Sequence, residues 1–311
     1  MWVRGFVSLL AVVGLGISAV SVGRSSFERP ASSALAGSKN SLVDLSIWRN
    51  RPLDLGDDAQ VRELARQAYV WGWPLVYVHN CRRALENVPV PARSGGMPIA
   101  PINQLCMLTD YISPKQTVVP CPNQDVVYGF GMFDLEREPV VLQVPDFGDR
   151  FWVYQLGDQR TDGFAKLGSI YNSKPGLYLV VDSAWQGSLP EGFVEVLRSP
   201  TRYAYCLPRV FLADTSEDRA AVQPTLNQIL AYPLSRFTGE ARTTDWQRVR
   251  WLPQLAAHGG RQSRWVRPET FFDGLHSLLA DVPPLAGEAP FYSACKRCWR
   301  RRKKINDSPT C

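Results

Sequence analysis

A succession of short β-branched and aromatic runs, each closed by Gly, Pro or Asp, restricts this chain more than any other feature. The runs are Thr117–Pro120, Val126–Phe133, Val140–Pro145, Phe151–Leu156, Gly176–Val181, Val194–Arg198 and Tyr203–Leu212. Their spacing leaves little room for crossover helices. It therefore predicts a mainly β protein, an antiparallel β-sandwich with flanking helices rather than alternating βαβ units. Within Phe151–Leu156 the residues alternate in character but both faces are partly apolar, so helices are expected to cover one face.

Helical patterning brackets these runs. Asp57 and Asp58 suit the start of a helix, and Val61, Leu64, Ala65 and Ala68 then recur at helical spacing. Pro74 interrupts the pattern before Leu75, Val78, Cys81 and Leu85 resume it, which predicts a kinked helix pair over about 58–86. A Pro/Gly/Ser loop from Pro89 to Pro101 follows. Ser216, Glu217 and Asp218 open a second helical stretch with Ala220, Val222, Leu226, Ile229 and Leu230, broken at Pro224. A third begins at Pro268, with Phe271, Phe272, Leu275, Leu278 and Leu279 inward. No internal repeat is visible.

The compartment is read from the first residues. Arg4 precedes an uncharged apolar stretch from Gly5 to Gly23, the pattern of a secretory signal over 1–23. Cleavage would follow Ser21-Val-Gly23 or Ala34-Leu-Ala36, and the alternative is an uncleaved anchor in the inner membrane. Residues 24–56, rich in Ser, Ala, Arg, Asn and Pro, suit a linker. A periplasmic or otherwise exported protein is expected. Cys81, Cys106, Cys121 and Cys206 could then form disulfides, with no pairing favoured.

The formal charge of +6 comes from 35 basic and 29 acidic residues. Seven of the basic residues (Lys296, Arg297, Arg300, Arg301, Arg302, Lys303 and Lys304) lie between Cys295 and Cys311, against one acid, Asp307. Removing these leaves 28 of each sign, so the body is neutral and nucleic acid is not an expected partner. Membrane contact is expected only through the N-terminal segment.

The familiar catalytic templates are missing. The chain has no Gly-x-Ser-x-Gly elbow, no His-Glu-x-x-His and no phosphate-cradling loop, and Gly129-Phe-Gly131 falls in a strand. His79, His258 and His276 share no motif, and Cys295-x-x-Cys298 lacks a second ligand pair. No metal or cofactor is expected. What stands out is polarity inside apolar strands: Asn123, Asp125 and Tyr128 in one short stretch, Arg150 opening a run, Gln155, Asp158, Arg160 and Asp162 beyond it, and Arg209 within Tyr203–Leu212.

Charges there need partners. One account is a structural network, with Asp149, Asp158 or Asp162 bridged to Arg150, Arg160 or Arg209. The other is a ligand pocket in which Arg209 or Arg160 grips a carboxylate or phosphate, Asp125 or Asp158 moves protons and Tyr128 donates a hydrogen bond. Among the large aromatics, Trp71, Trp73, Trp152 and Tyr154 suit core packing, whereas Trp185 beside Gly187 is the candidate exposed stacking platform.

Several segments together carry a resemblance. They include Tyr69-Val-Trp-Gly-Trp-Pro-Leu75, Pro122-Asn-Gln-Asp-Val-Val-Tyr128, Phe133-Asp-Leu135, Pro139-Val-Val-Leu-Gln-Val-Pro-Asp146 and Asp149-Arg-Phe151. Gln155-Leu-Gly-Asp158, Gly176-Leu-Tyr-Leu-Val-Val181, Trp185-Gln-Gly187, Ser199-Pro-Thr201 and Arg209 continue the series. From about 58 to 290 the chain resembles the bacterial domain of unknown function 1254 family. The resemblance implies an immunoglobulin-like sandwich with a helical companion in an exported protein, and no particular reaction. Larger members continue into a second, jelly-roll-like β domain.

Two departures stand out: Lys166 occupies a position where relatives tend to carry an acid, and the likeness stops after Ser293. The residues that follow show no evident strand or helix period, so 291–311 is read as an aberrant basic tail of a truncated or frameshifted chain. The domain expected over 57–290 would serve as a noncatalytic envelope module binding a small polar ligand or a protein. The alternative is a metal-independent hydrolase or lyase using the Asp/Arg/Tyr cluster.

Overall fold

A computed structural model describes residues 45–50, 53–116, 118–119, 121–253, 265–279 and 281–307. The expected signal segment 1–23 and residues 24–44 of the expected linker lie outside the described residues, as does the end of the tail, 308–311. The described chain divides into two compact units, one over Trp73–Pro283 and one made of 45–72 and 284–307.

The second unit holds α1 (Ile47–Asn50), the first part of α2 (Asp58–Leu85) and α5 (Ala289–Asp307). Asp57 caps α2 as the sequence suggests: its carboxylate accepts from the backbone N–H groups of Ala59 at 2.9 Å and Gln60 at 3.2 Å. Gln60 returns a side-chain bond to the same carboxylate at 2.9 Å, completing a reciprocal cap. Three expectations are corrected here. Order begins before Asp57, because Trp48 on α1 is buried and its indole donates to Gln67 Oε1 at 2.9 Å. The segment after Ser293 is helical, continuing α5 with Ala294 buried and Cys295, Cys298 and Trp299 half-buried, and ahead of it Trp71 meets Phe291 and Tyr292 edge-on at 5.2 Å. Pro74 does not divide α2, which runs through it as one helix of 28 residues.

The first unit is mainly β. Its strands are β1 (Ala92–Ser94), β2 (Met97–Ile99), β3 (Gln104–Met107), β4 (Val126–Asp134), β5 (Val140–Val144), β6 (Trp152–Asp158), β7 (Leu167–Gly168), β8 (Gly176–Asp182), β9 (Phe193–Ser199), β10 (Tyr203–Phe211), β11 (Leu230–Pro233) and β12 (Arg250–Trp251). They form a five-stranded sheet in the order β3-β4-β10-β6-β7, a four-stranded sheet β11-β5-β8-β9 and a small sheet β12-β1-β2. Pairing is antiparallel except β8 with β9 and β1 with β12.

Side chains alternate across each sheet. On one face of the five-stranded sheet Val127, Phe133, Trp152, Tyr154, Leu156, Cys206 and Val210 join Val140, Leu142, Val144, Tyr178 and Val180 of the four-stranded sheet in a single apolar cluster. Val141, Leu179, Val181 and Tyr232 form a second cluster on the far face of the four-stranded sheet. The glycines 129 and 131 on β4 admit β3: a Cβ at Gly131 would stand 2.5 Å from the Gln104 carbonyl oxygen and one at Gly129 2.1 Å from Met107 Sδ. This close approach explains the glycine pair without any nucleotide.

Elsewhere the elements shift from expectation. The region read as a loop contains β1 and β2, and β3 follows directly. Val118 and Val119 lie in a bend rather than a strand. The helix α3 (Ser216–Leu226) is capped by Thr215, whose hydroxyl accepts from Asp218 N at 3.1 Å. It includes Pro224 and ends before Leu230, which opens β11. The last helix of this unit, α4 (Phe271–Leu278), buries Phe271, Leu275 and Leu278 as the sequence suggests.

Candidate functional site

Arg209 lies inside β10, opposite Tyr128 of β4 and Val153 of β6. Strand alternation places Tyr205, Leu207 and Arg209 together on the face of the sheet opposite Cys206 and Val210. Arg209 is only 8% exposed. Its Nη2 donates to Gln155 Oε1 at 2.7 Å, and its guanidinium carbon stands 5.6 Å from the centre of the Tyr128 ring. Burial dominates its electrostatics, lowering the guanidinium pKa against the favourable influence of Tyr128, Tyr205 and Asp125. Tyr128 is itself fixed, its hydroxyl accepting from the Asn123 backbone N–H at 2.9 Å, and burial raises its pKa.

Tyr205 completes this face, and sequence reasoning missed it. Its ring lies over Gly157, the residue opposite it on β6, where a Cβ would fall 2.1 Å from Tyr205 Cζ. The Tyr205 hydroxyl is buried and has no hydrogen-bond partner among the described residues. Burial, and then the nearby Asp158 charge, push its pKa up to about 12. The glycine in Gln155-Leu-Gly-Asp158 was the available signal, but only the strand register reveals which aromatic it receives.

Asp158, Arg160 and Asp162 form a turn beside Tyr205. Asp158 is buried, and its Oδ1 accepts from the backbone N–H groups of Arg160 at 2.8 Å and Asp162 at 3.0 Å. Burial raises its pKa even so. Arg160 Nη2 donates to the Pro283 carbonyl at 2.5 Å, and Asp162 is exposed. These contacts fix a loop.

Arg150 belongs to a different place. It forks onto Asp218 of α3 at 2.7 and 2.5 Å and donates to the Phe211 carbonyl at 2.9 Å. The expected partners Asp149, Asp158 and Asp162 are therefore not the ones it uses. Arg150 and the Ala213 N–H together hold the Asp218 carboxyl down at about 2. Asp125 is exposed, and its carbonyl accepts from Leu212 N. So Asn123, Tyr128, Gln155 and Arg209 come together, Asp158, Arg160 and Asp162 form the neighbouring turn, and Arg150 pairs elsewhere.

Beside Tyr128 is a shallow recess with a volume of about 20 Å3, room for about one water, walled by Met97, Pro98, Ile112, Tyr128, Phe130 and Leu207 among others. Trp185 is not the open platform expected: it is half-buried and Arg198 stands 5.6 Å over its ring. Among the described residues no cluster of His, Cys, Asp or Glu could hold a metal ion. Cys81, Cys106, Cys121, Cys206, Cys295 and Cys298 are free thiols. No described helix is long and apolar enough to cross a membrane.

Residues 102–233 match the family described as "Protein of unknown function (DUF1254)", so the resemblance read from the sequence is shown over this segment. It contains β3 to β11, and with them every candidate site residue. Among solved structures, the VPA0106 protein of Vibrio parahaemolyticus is similar at 19% identity and a TM-score of 0.45, over 78% of this chain and 58% of that one. An uncharacterized protein from Burkholderia cenocepacia is similar at 15% identity and a TM-score of 0.30, over 76% of this chain and 55% of that one. The chain thus spans somewhat more than half the length of each. A comparison with curated proteins found no match.

Proposed function

We propose that this is an exported envelope protein whose first unit, an immunoglobulin-like sandwich, is a noncatalytic module that binds a small polar ligand through a negatively charged group at Arg209. The observation that carries the reading is a guanidinium buried on the face of an apolar strand, bonded to Gln155 and lying over the Tyr128 ring, with burial as the leading influence on its pKa. A desolvated, pre-oriented guanidinium gains more from a bidentate anion than a hydrated one does. The surrounding groups are arranged for binding rather than for proton transfer. Tyr128 is raised away from neutrality, and the Asp158 oxygen is taken up by backbone amides. The N-terminal apolar segment supports export, and an envelope protein bound through the same face is the other partner this surface would suit.

Thermal unfolding of the full chain with organic acids, phosphate esters and neutral sugars tests this. Anions should raise the melting temperature of the parent and of Asp125→Asn but not of Arg209→Ala, and neutral sugars should leave all three unchanged. If no anion stabilises the parent, Arg209 is structural and the binding reading falls.

A further inference from the structure

The basic residues near the end of the chain have no part in the site around Arg209, and the helix α5 gathers them. At about 3.6 residues per turn, Lys296, Arg297, Arg300, Arg301, Lys303 and Lys304 occupy positions within one arc of about 160°. Arg302 alone falls outside it. The remaining arc carries the buried Phe291, Tyr292 and Ala294 and the half-buried Cys295, Cys298 and Trp299. Lys296, Arg297 and Arg300 are exposed, and none has an ion-pair partner among the described residues.

One or two cations near a helix C-terminus would be enough to complement its dipole. Here 296 with 300, 297 with 301 and 300 with 304 set like charges four residues apart, which costs helix stability. A polyanion laid along the arc would remove that repulsion. The chain also enters this unit beside α5. Arg49 of α1 lies against Gly287, two residues before α5, where a Cβ would stand 2.4 Å from its Nη2. In sequence, residues 24–44 join α1 to the apolar stretch Gly5–Gly23. Lasting membrane attachment commonly combines an apolar element with a polybasic patch, and this unit has both on one chain. Nucleic acid would suit the charge of α5, but the rest of the chain is neutral and continues no basic track.

Independently of the Arg209 reading, we infer that the basic arc of α5 docks on an anionic phospholipid surface, against the headgroup phosphates of the bilayer that takes the N-terminal apolar segment. The apolar arc is used inside the protein, so α5 lies on the membrane rather than in it. This adds a second point of membrane contact to the N-terminal one.

Flotation of the full chain with phosphatidylcholine vesicles, with or without about one third phosphatidylglycerol, tests the assignment. At low salt the anionic vesicles should be bound at least about 100-fold more tightly, since each basic residue near such a surface adds several-fold. Raising the salt to about 0.5 M should remove most of that preference. Lys296→Gln, Arg297→Gln and Arg300→Gln together should reduce it at least about tenfold. These changes leave the apolar arc intact and glutamine is a good helix former, so the circular dichroism spectrum should not change.

Equal binding to both vesicles would overturn the proposal and leave membrane contact to the N-terminal segment. A preference unchanged by the triple substitution would move the lipid site to another surface. A short DNA duplex bound more tightly than the anionic vesicles at the same salt would assign the arc to nucleic acid instead.

Discussion

Arg202 and Arg209 flank and enter the same strand, yet their surroundings are opposites. Arg202, just before β10, forks onto Asp134 at 2.8 and 2.9 Å, and this carboxylate raises its pKa. Asp134 is almost fully buried and also receives Arg137 at 3.1 Å, while the nearby Asn103 amide oxygen accepts the Asp134 backbone N–H at 2.7 Å. Arg209 meets an amide and a phenol, and burial lowers its pKa. The first arrangement secures the end of β4 against β10. The second keeps a charge in a place where packing alone would favour a hydrocarbon. The former secures the fold with a paired charge, and under the proposed function the latter is kept for a ligand.

The largest test of this contrast lies at the ion-paired end. Asp134→Ala would leave Arg202 without its fork and should lower unfolding free energy by about 3 kcal/mol, measured in urea. A loss below about 1 kcal/mol would mean that the Asp134 pairs contribute no more than surface pairs do. Next, Gly157→Ala drives a methyl group into the Tyr205 ring and should destabilise by about 2 kcal/mol. A neutral result would show that Tyr205 can swing away, and that the face around Arg209 is looser than its burial implies.

Asp218 provides a third comparison, since it is a pair of intermediate exposure. Its carboxyl pKa is lowered from 3.8 to about 2 by Arg150, so the stabilisation is complete above pH 4 and disappears as pH falls towards 2. With its side chain 22% exposed, solvent screening reduces the contribution to about 1–2 kcal/mol. Asp218→Asn should flatten stability against pH in that window. An unchanged slope would place the acid sensitivity elsewhere.

Much of this arrangement was legible in the sequence, though unevenly. The β4, β5, β6, β8, β9 and β10 runs announce themselves by composition and by the turns that close them. Asp57 announces the start of α2 through the Gln three residues on. Strands β1, β2 and β7 did not, because two or three residues are too short to carry a period. Pro74 looked like a break, whereas a helix can continue past a missing N–H when its flanks pack. Arg209 was visible as a charge in an apolar strand, but its neighbours depend on register. Tyr205 looks like any core aromatic until Gly157 is seen opposite, and Asp134 and Arg202 are too far apart in sequence to suggest a pair.

The smallest expected effect is the most informative. Arg209→Met keeps a long side chain that can lie on Tyr128 and removes the charge. If Arg209 is there for a ligand, the free protein should change by no more than about 1 kcal/mol, or become slightly more stable, because a buried charge is replaced by hydrocarbon of similar length. The Gln155 amide would lose one donor, which sets the limit on any gain. The same variant should lose the anion-induced rise in melting temperature altogether. A loss approaching that of Asp134→Ala would reverse the comparison, making Arg209 a second structural clamp and the outer face of β4, β10 and β6 a part of the scaffold.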